Sequence, residues 1–265
     1  MSPREDLISA AAASPGERLD PKRLVQKHMQ RVLPKRFYRE ASIGEAAGGF
    51  ALLLDGRPAH TPGKHPIVLP TRAAAELVAA EWRAAVEHID PGKMPVTRIV
   101  HSALDGVARE MAAVQAEIVK YAGSDLVCYR AGEPASLVAA QGAAWDPVIA
   151  FAREALGARL TLAQGVVFAA QPDHALNAIE AAVRGFDTPL PLACLHVATT
   201  LAGSALLALS VAHGRFTAEA AWAAAHVDED FQIRAWGADA EAETRRALRW
   251  RDFAAAATLS GSLTP

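Results

Sequence analysis

The chain has 265 residues, enough for a large core and for one or two domains. A hydrophobic fraction of 51% excludes a disordered chain, and 27 basic against 29 acidic residues give no general electrostatic reason to bind nucleic acid. Its two cysteines, Cys128 and Cys194, lie far apart without metal-ligand spacing and fit a reducing compartment.

Residues 1–33 read as a tail followed by a short basic helix, Lys22 to Leu33, opened by Asp20-Pro21 and ended by Pro34. Glu5 and Asp6 stand where a secretory signal needs positive charge, and acids also suit a mitochondrial transit peptide poorly. The expected location is the bacterial cytoplasm, or the mitochondrial matrix if the source is eukaryotic. Lys35 to Glu40 reads as a strand and Gly44 to Gly49 as a turn. Phe50 to Leu54, Asp55-Gly56 and Arg57 to Thr61 form a hairpin signal, because Asp-Gly accepts the positive φ values of a tight turn. Ile67-Val68-Leu69 adds another strand to this small antiparallel sheet.

From Thr71 the chain reads as helical. Thr71 caps a helix to Ile89, and Thr97 caps a run divided at Gly106 and broken by Gly123. Residues 125–130 are a link. A helix from about Glu133 to Ala144 precedes a fresh start at Trp145-Asp146-Pro147, which runs to Gly157. Leu160 to Phe168 is an apolar connection of ambiguous state, and Asp173 begins a helix to Arg184. The stretch capped by Thr188 and Pro189 and ended by Gly214 is apolar on nearly all sides, so it belongs in the middle of the fold. His196, Thr199, Thr200, Ser204 and Ser210 dilute it, and no Lys/Arg cluster flanks it, which disfavours a membrane span. Thr217 to Gly237 reads as one amphipathic helix with an acidic outer face. Ala240 to Ala257 carries acids early and arginines late, the order that complements a helix dipole. The fold class is therefore α+β. Residues 34–125 form a small sheet-plus-helix domain and residues 126–265 a larger all-helical one.

Catalytic motifs are mostly absent. In Gly56 to Lys64 the prolines remove amide donors, and His65 stands where a phosphate loop needs Ser or Thr. His60 and His65 lack a third metal ligand, His196 reads as a core histidine, and Ser204 lacks a nucleophile-elbow context. An enzyme would have to be built around His60, His65 and Asp105, or around Cys128 beside Arg130. The more informative feature is surface. Asp228, Glu229, Asp230, Asp239, Glu241 and Glu243 surround Phe231 and Trp236, and aromatic anchors inside a polar rim are what protein interfaces use.

A set of short motifs runs in order through the chain: Arg36-Phe37-Tyr38, Leu54-Asp55-Gly56-Arg57-Pro58, Thr61-Pro62, Leu69-Pro70, Glu81-Trp82, Met94-Pro95 and Asp105. Asp125, Cys128-Tyr129-Arg130, Gln141, Trp145-Asp146-Pro147, Gly203-Ser204, Glu229, Phe231-Gln232 and Trp236-Gly237 complete it. In these motifs the chain resembles the assembly chaperones that attend the alpha subunit of the F-type ATP synthase catalytic head, in mitochondria and alphaproteobacteria. The resemblance implies a non-enzymatic protein without cofactor or metal. Such a protein binds the unassembled alpha subunit, shields its interface until the beta subunit replaces it, and contacts neither nucleic acid nor membrane. A monomer with an α/β domain and a helical domain is implied. The partner-binding residues expected from the acidic segment are Asp228, Glu229, Phe231, Gln232, Trp236 and Glu241, with Phe37, Tyr38 and Arg57 on a second candidate surface. A general holdase for many clients is the other non-enzymatic reading.

Overall fold

The computed structural model describes residues 33–165 and 167–263. The tail and the basic helix expected before Leu33 lie outside them. Asp55 and Gly56 take φ values of 48° and 75° and close the expected tight turn, with Leu54 opposite Arg57. The sheet comprises β1 (Ala41–Ala46), β2 (Gly49–Leu54), β3 (Arg57–Pro58) and β4 (Val68–Leu69), and β2 pairs antiparallel with each of the others.

The first strand falls later than its expected place. Residues 36–40 carry no ladder, because side chains take up their backbone groups. The Arg36 guanidinium donates to the carbonyls of Tyr38, Ala85 and Arg39, and Asp55 Oδ1 accepts from the amides of Arg39 and Glu40. Gly44, expected in a turn, lies inside β1 opposite Ala51.

Helix α1 (Arg72–Ala84) lays Ala74, Ala75, Val78, Ala79 and Trp82 in the core beside the sheet. Thr71 caps it as expected, accepting from Ala74 N at 3.1 Å. It stops five residues before Ile89, and Val86, 80% exposed, lies in the following loop. Helix α2 (Pro95–Ser102) is not capped by Thr97. The cap comes from α1: the Glu81 carboxylate accepts from Val96 N, Thr97 N and Thr97 Oγ1 at 2.8, 2.7 and 2.7 Å. A π-type turn over Ala103–Val107 makes the division expected at Gly106 and leads into α3 (Ala108–Ala122).

Beyond Gly123 the expectations of a new start at Asp146 and of a single central helix both fail. Helix α4 (Ala135–Ala155) runs unbroken through Pro147. Asp146 pairs with Arg130 at 2.8 Å instead of capping, and buried Trp145 donates its indole N–H to Ala224 O at 2.7 Å. Tertiary packing outweighs the local stop signal. The ambiguous stretch after it supplies β6 (Ala163–Gln164), parallel to β5 (Tyr129–Arg130). Helix α5 (Asp173–Arg184) matches its expected span.

The apolar run is two helices, α6 (Pro189–Ala202) and α7 (Ala205–Ala212). Gly203 takes a left-handed φ of 67°, and Ser204 Oγ accepts from Leu207 N at 3.0 Å. The left-handed Gly203 and the Ser204 cap break the helix there. The fully buried Asp125 accepts from Leu206 N at 3.1 Å and from Val127 N at 3.3 Å, so a carboxyl sits on the amino end of α7. The next segment is divided too, at His226, into α8 (Ala218–Ala225) and α9 (Val227–Trp236). Helix α10 (Ala240–Ser262) extends five residues past its expected end.

Two apolar clusters result. One packs the sheet, α1 and α2, and the other packs α3 to α8. Helices α6 and α10 contribute to both, through Leu190, Cys194, Ala256 and Leu259 on one side and Leu192, Leu195 and Phe253 on the other. Among the described residues no helix is long and apolar enough to cross a membrane.

Glu81→Ala strands two amides and a hydroxyl, and we expect it to lower unfolding stability by about 2 kcal/mol in urea titration. Burial pushes the Asp125 carboxyl up to about 6, against the pull of the Ser204 hydroxyl and nearby amides. Between about pH 4 and pH 6 the folded chain therefore keeps a proton that the unfolded chain has released. This group's contribution to stability falls as pH rises through that window and is level above it. Asp125→Asn should remove that slope from the urea midpoint measured against pH.

Candidate functional site

Helices α8, α9 and α10 enclose a groove of about 1100 Å³ lined by Trp222, Ile233, Trp236, Arg246, Arg249 and Trp250, among others. Its floor is aromatic: the Trp222 and Trp250 rings lie 5.7 Å apart, with the buried Phe253 ring 5.3 Å behind Trp222. The rim carries Trp236, which is 82% exposed on the last turn of α9. The helix ends just after it, at Gly237 with φ 91°, whose amide donates to the Ile233 carbonyl. Trp236 is thus surface and not core. Phe231 is half-buried, with the Arg234 guanidinium 5.9 Å above its ring.

The acids around these rings divide by what already holds them. Asp228 accepts from Gln141 Nε2 at 2.7 Å, and Gln141 Oε1 accepts from Ala131 N at 2.7 Å, so α9 is tied to α4. Asp230 pairs with Arg246 at 2.5 Å, tying α9 to α10 and raising the Arg246 pKa. Glu229 is exposed, and its nearest cation-forming neighbour is His226 at 3.9 Å. Burial lowers the pKa of His226, whose Nδ1–H donates to the Trp222 carbonyl at 2.8 Å. Glu241 is exposed and shares an (i, i+4) contact with Arg245 at 2.5 Å. Gln232 is exposed and lines the groove. Of the expected partner-binding residues, Glu229, Gln232, Trp236 and Glu241 face outward, whereas Asp228 is committed to the fold.

The second expected surface is partly internal. Tyr38 is buried with its hydroxyl donating to Trp82 O at 2.6 Å, while Phe37 is 71% exposed and Arg57 is exposed.

Asp105 gathers Thr61 Oγ1 at 2.5 Å, His65 Nδ1 at 2.7 Å and Gly63 N at 2.9 Å. Desolvation raises its pKa, but the hydrogen bonds from Thr61, His65 and Gly63, with the His65 charge, together outweigh it and hold the carboxyl at about 2. These bonds fasten the loop before β4 to the π-type turn. His60 stands outside the cluster and takes part only in a backbone bridge with Pro66. Burial, with the Asp125 charge beside it, pushes the Cys128 thiol up to about 12, the reverse of nucleophile activation. His196 is less buried than expected and meets Glu117 at 3.0 Å. Among the described residues no group of three or more His, Cys, Asp or Glu could hold a metal ion.

The sequence reading missed Trp222, Trp250 and the arginines of α10 as groove residues. The available signal was the crowding of three of the chain's five tryptophans into residues 222–250.

Residues 35–153 match the family model described as ATP12 chaperone protein. A crystal structure of a candidate chaperone from Agrobacterium tumefaciens is 47% identical, with a TM-score of 0.85 over 93% of this chain and 92% of that one. The crystal structure of Atp12 from Paracoccus denitrificans is 41% identical, with a TM-score of 0.81 over 87% of this chain and 98% of that one. An aspartate-to-lysine mutant of the Paracoccus protein gives the same values.

Because Trp236 has so little of its surface buried, Trp236→Ala should shift unfolding stability by less than about 0.5 kcal/mol. Trp222→Ala, which empties the groove floor, should cost about 3 kcal/mol, measured by the same denaturant titration.

Proposed function

The chain belongs to the ATP12 chaperone family, and from that membership we propose that it assists assembly of the F-type ATP synthase by holding its unassembled alpha subunit. In this reading the chaperone covers the alpha-subunit interface until the beta subunit displaces it. A subunit awaiting its ring presents a large apolar face, and such faces aggregate. A holder has to cover that face and still let go.

The observation that carries the reading is Trp236, 82% exposed above an aromatic groove that Glu229, with no ion partner nearer than His226 at 3.9 Å, also lines. An exposed tryptophan is a ready interface anchor. The lining sets Glu219, Glu229, Asp230, Asp239 and Glu243 against Arg245, Arg246 and Arg249, and this acidic excess suits a client segment with apolar and basic side chains. Much of the rim stays polar and hydrated, so the contact is one that a better-fitting subunit can replace.

The test is isolation of the protein from its own cells and identification of what accompanies it. Alpha subunit in excess over other polypeptides supports the proposal, and a broad mixture without that preference supports a general holdase. Reversing Glu229 and Glu241 to Lys together should weaken alpha-subunit capture about tenfold, or ~1.4 kcal/mol. The thermal midpoint should stay within about 3 °C, since both side chains are exposed. Undiminished capture by that double variant removes the α9–α10 groove from the proposal.

A further inference from the structure

A second aromatic surface lies on the sheet side of the molecule and carries the opposite sign of charge. Phe37, Tyr38 and Trp82 form a ladder, with ring centroids 5.4 and 5.5 Å apart. Phe37, at the outer end, is 71% exposed. Beside it a cleft of about 550 Å³ is lined by Phe37, Leu54, Arg57, Pro58, His60 and Trp82, among others. Tyr38 also lines an adjoining cleft that holds Lys35, Arg36, Arg39 and His88.

The polar groups at these clefts are unevenly satisfied. Among the described residues no carboxylate pairs with Lys35, Arg36, Arg39 or Arg57. Arg36 spends its donors on the carbonyls of Tyr38, Ala85 and Arg39 and forms no direct ion pair, the Asp55 charge acting on it only from a distance. The two acids present are Asp55, whose Oδ1 already accepts two backbone amides, and Glu87 in the adjoining cleft. The indole N–H of Trp82 is buried and has no acceptor, although Trp82 as a whole is only 7% exposed. A buried donor without a partner is destabilising, and an acceptor that reaches it recovers part of that cost.

We propose that this cleft is a second docking site, one that takes an extended acidic peptide segment bearing an apolar or aromatic side chain. The apolar side chain packs against Phe37 and Pro58. Carboxylates of the segment meet Arg57 and the cations of the adjoining cleft, and a carbonyl or carboxylate oxygen accepts from Trp82. The occupant differs in charge from the basic, apolar segment suited to the α9–α10 groove, so the two surfaces would grip different parts of one client or two different chains. This inference does not rest on the alpha-subunit reading and can fail separately from it.

The test is fluorescence anisotropy of the full chain with a short labelled peptide alternating Glu with Phe and Leu. Controls are the same peptide with Lys for Glu, the same peptide with Ser for Phe and Leu, and an oligothymidylate of equal charge. The acidic apolar peptide should bind, and all three controls should bind at least about tenfold more weakly. Phe37→Ala with Arg57→Glu should weaken binding about tenfold, with an unchanged thermal midpoint because both side chains are exposed. Reversal of Glu229 and Glu241 should leave it within about twofold. In a nitrogen-15 spectrum the indole signal assigned by Trp82→Phe should move when the peptide is added. Absence of peptide binding, equal binding of the basic peptide or the oligonucleotide, or indifference to the Phe37 and Arg57 changes would overturn the proposal. Loss of alpha-subunit capture in the Glu229 and Glu241 variant with peptide binding intact leaves this inference standing.

Discussion

A helix with apolar residues around its whole circumference must be covered on every side, and α6 imposes that requirement on the chain. Leu190 and Cys194 face the cluster built on the sheet and α1, while Leu192, Leu195 and Ala198 face the cluster built by the later helices. Neither cluster alone can bury α6. Helix α10 is the other shared element: Ala256 and Leu259 join the first cluster and Phe253 the second. Burial of apolar area is the main favourable contribution to folding, so sharing two helices couples the sheet side to the helical side. Thr71 strengthens the coupling near the far end of α10 by donating to Ser262 O at 2.5 Å.

That constraint also explains where the chain breaks. An apolar run as long as residues 189–213 would carry its second half out of the core if it continued straight. The turn at Gly203 folds it back, and a left-handed residue there suits glycine alone without strain. The new amino end then sits in the interior with amides that need acceptors. Ser204 and Asp125 supply them. A carboxyl in so dry a place is expensive as an anion, which is why its pKa rises to about 6 even with amides around it.

How much of this was legible depends on how far each determinant lies from what it determines. Thr71, the Asp55-Gly56 turn and Thr217 act on backbone a few residues away, and all were readable. The Glu81 cap on α2 acts across 15 positions, and the Gln141 tie to Asp228 across 87, so no local pattern announces either. Pro147 misled because its stop signal is local, whereas the packing of Trp145 and Val148 that overrides it is not. The break at Gly203 hid inside a run whose uniform hydrophobicity carries no phase. At the candidate site the cluster of acids and aromatics was legible. Which acids were spent on the fold was not, because Arg246 and Gln141 reach them from other helices.

Helix α9 shows what this division of acids achieves. It buries no residue fully, so apolar packing holds it only through partly covered side chains such as Val227. Polar ties at Asp228 and Asp230 fix its orientation against α4 and α10. The Asp230–Arg246 pair, at half-exposed positions, is individually weak and is screened by salt, whereas the Asp228 bond comes from the buried Gln141 amide. Under the proposed function, a partner that brings its own cations would compete with Arg246 for Asp230 and meet Glu229 without displacing anything buried. The element that presents Trp236 is therefore the one least anchored by the core. In that proposed function it is the element whose attachment would adjust to a bound segment, while the shared helices α6 and α10 tie the two apolar clusters together.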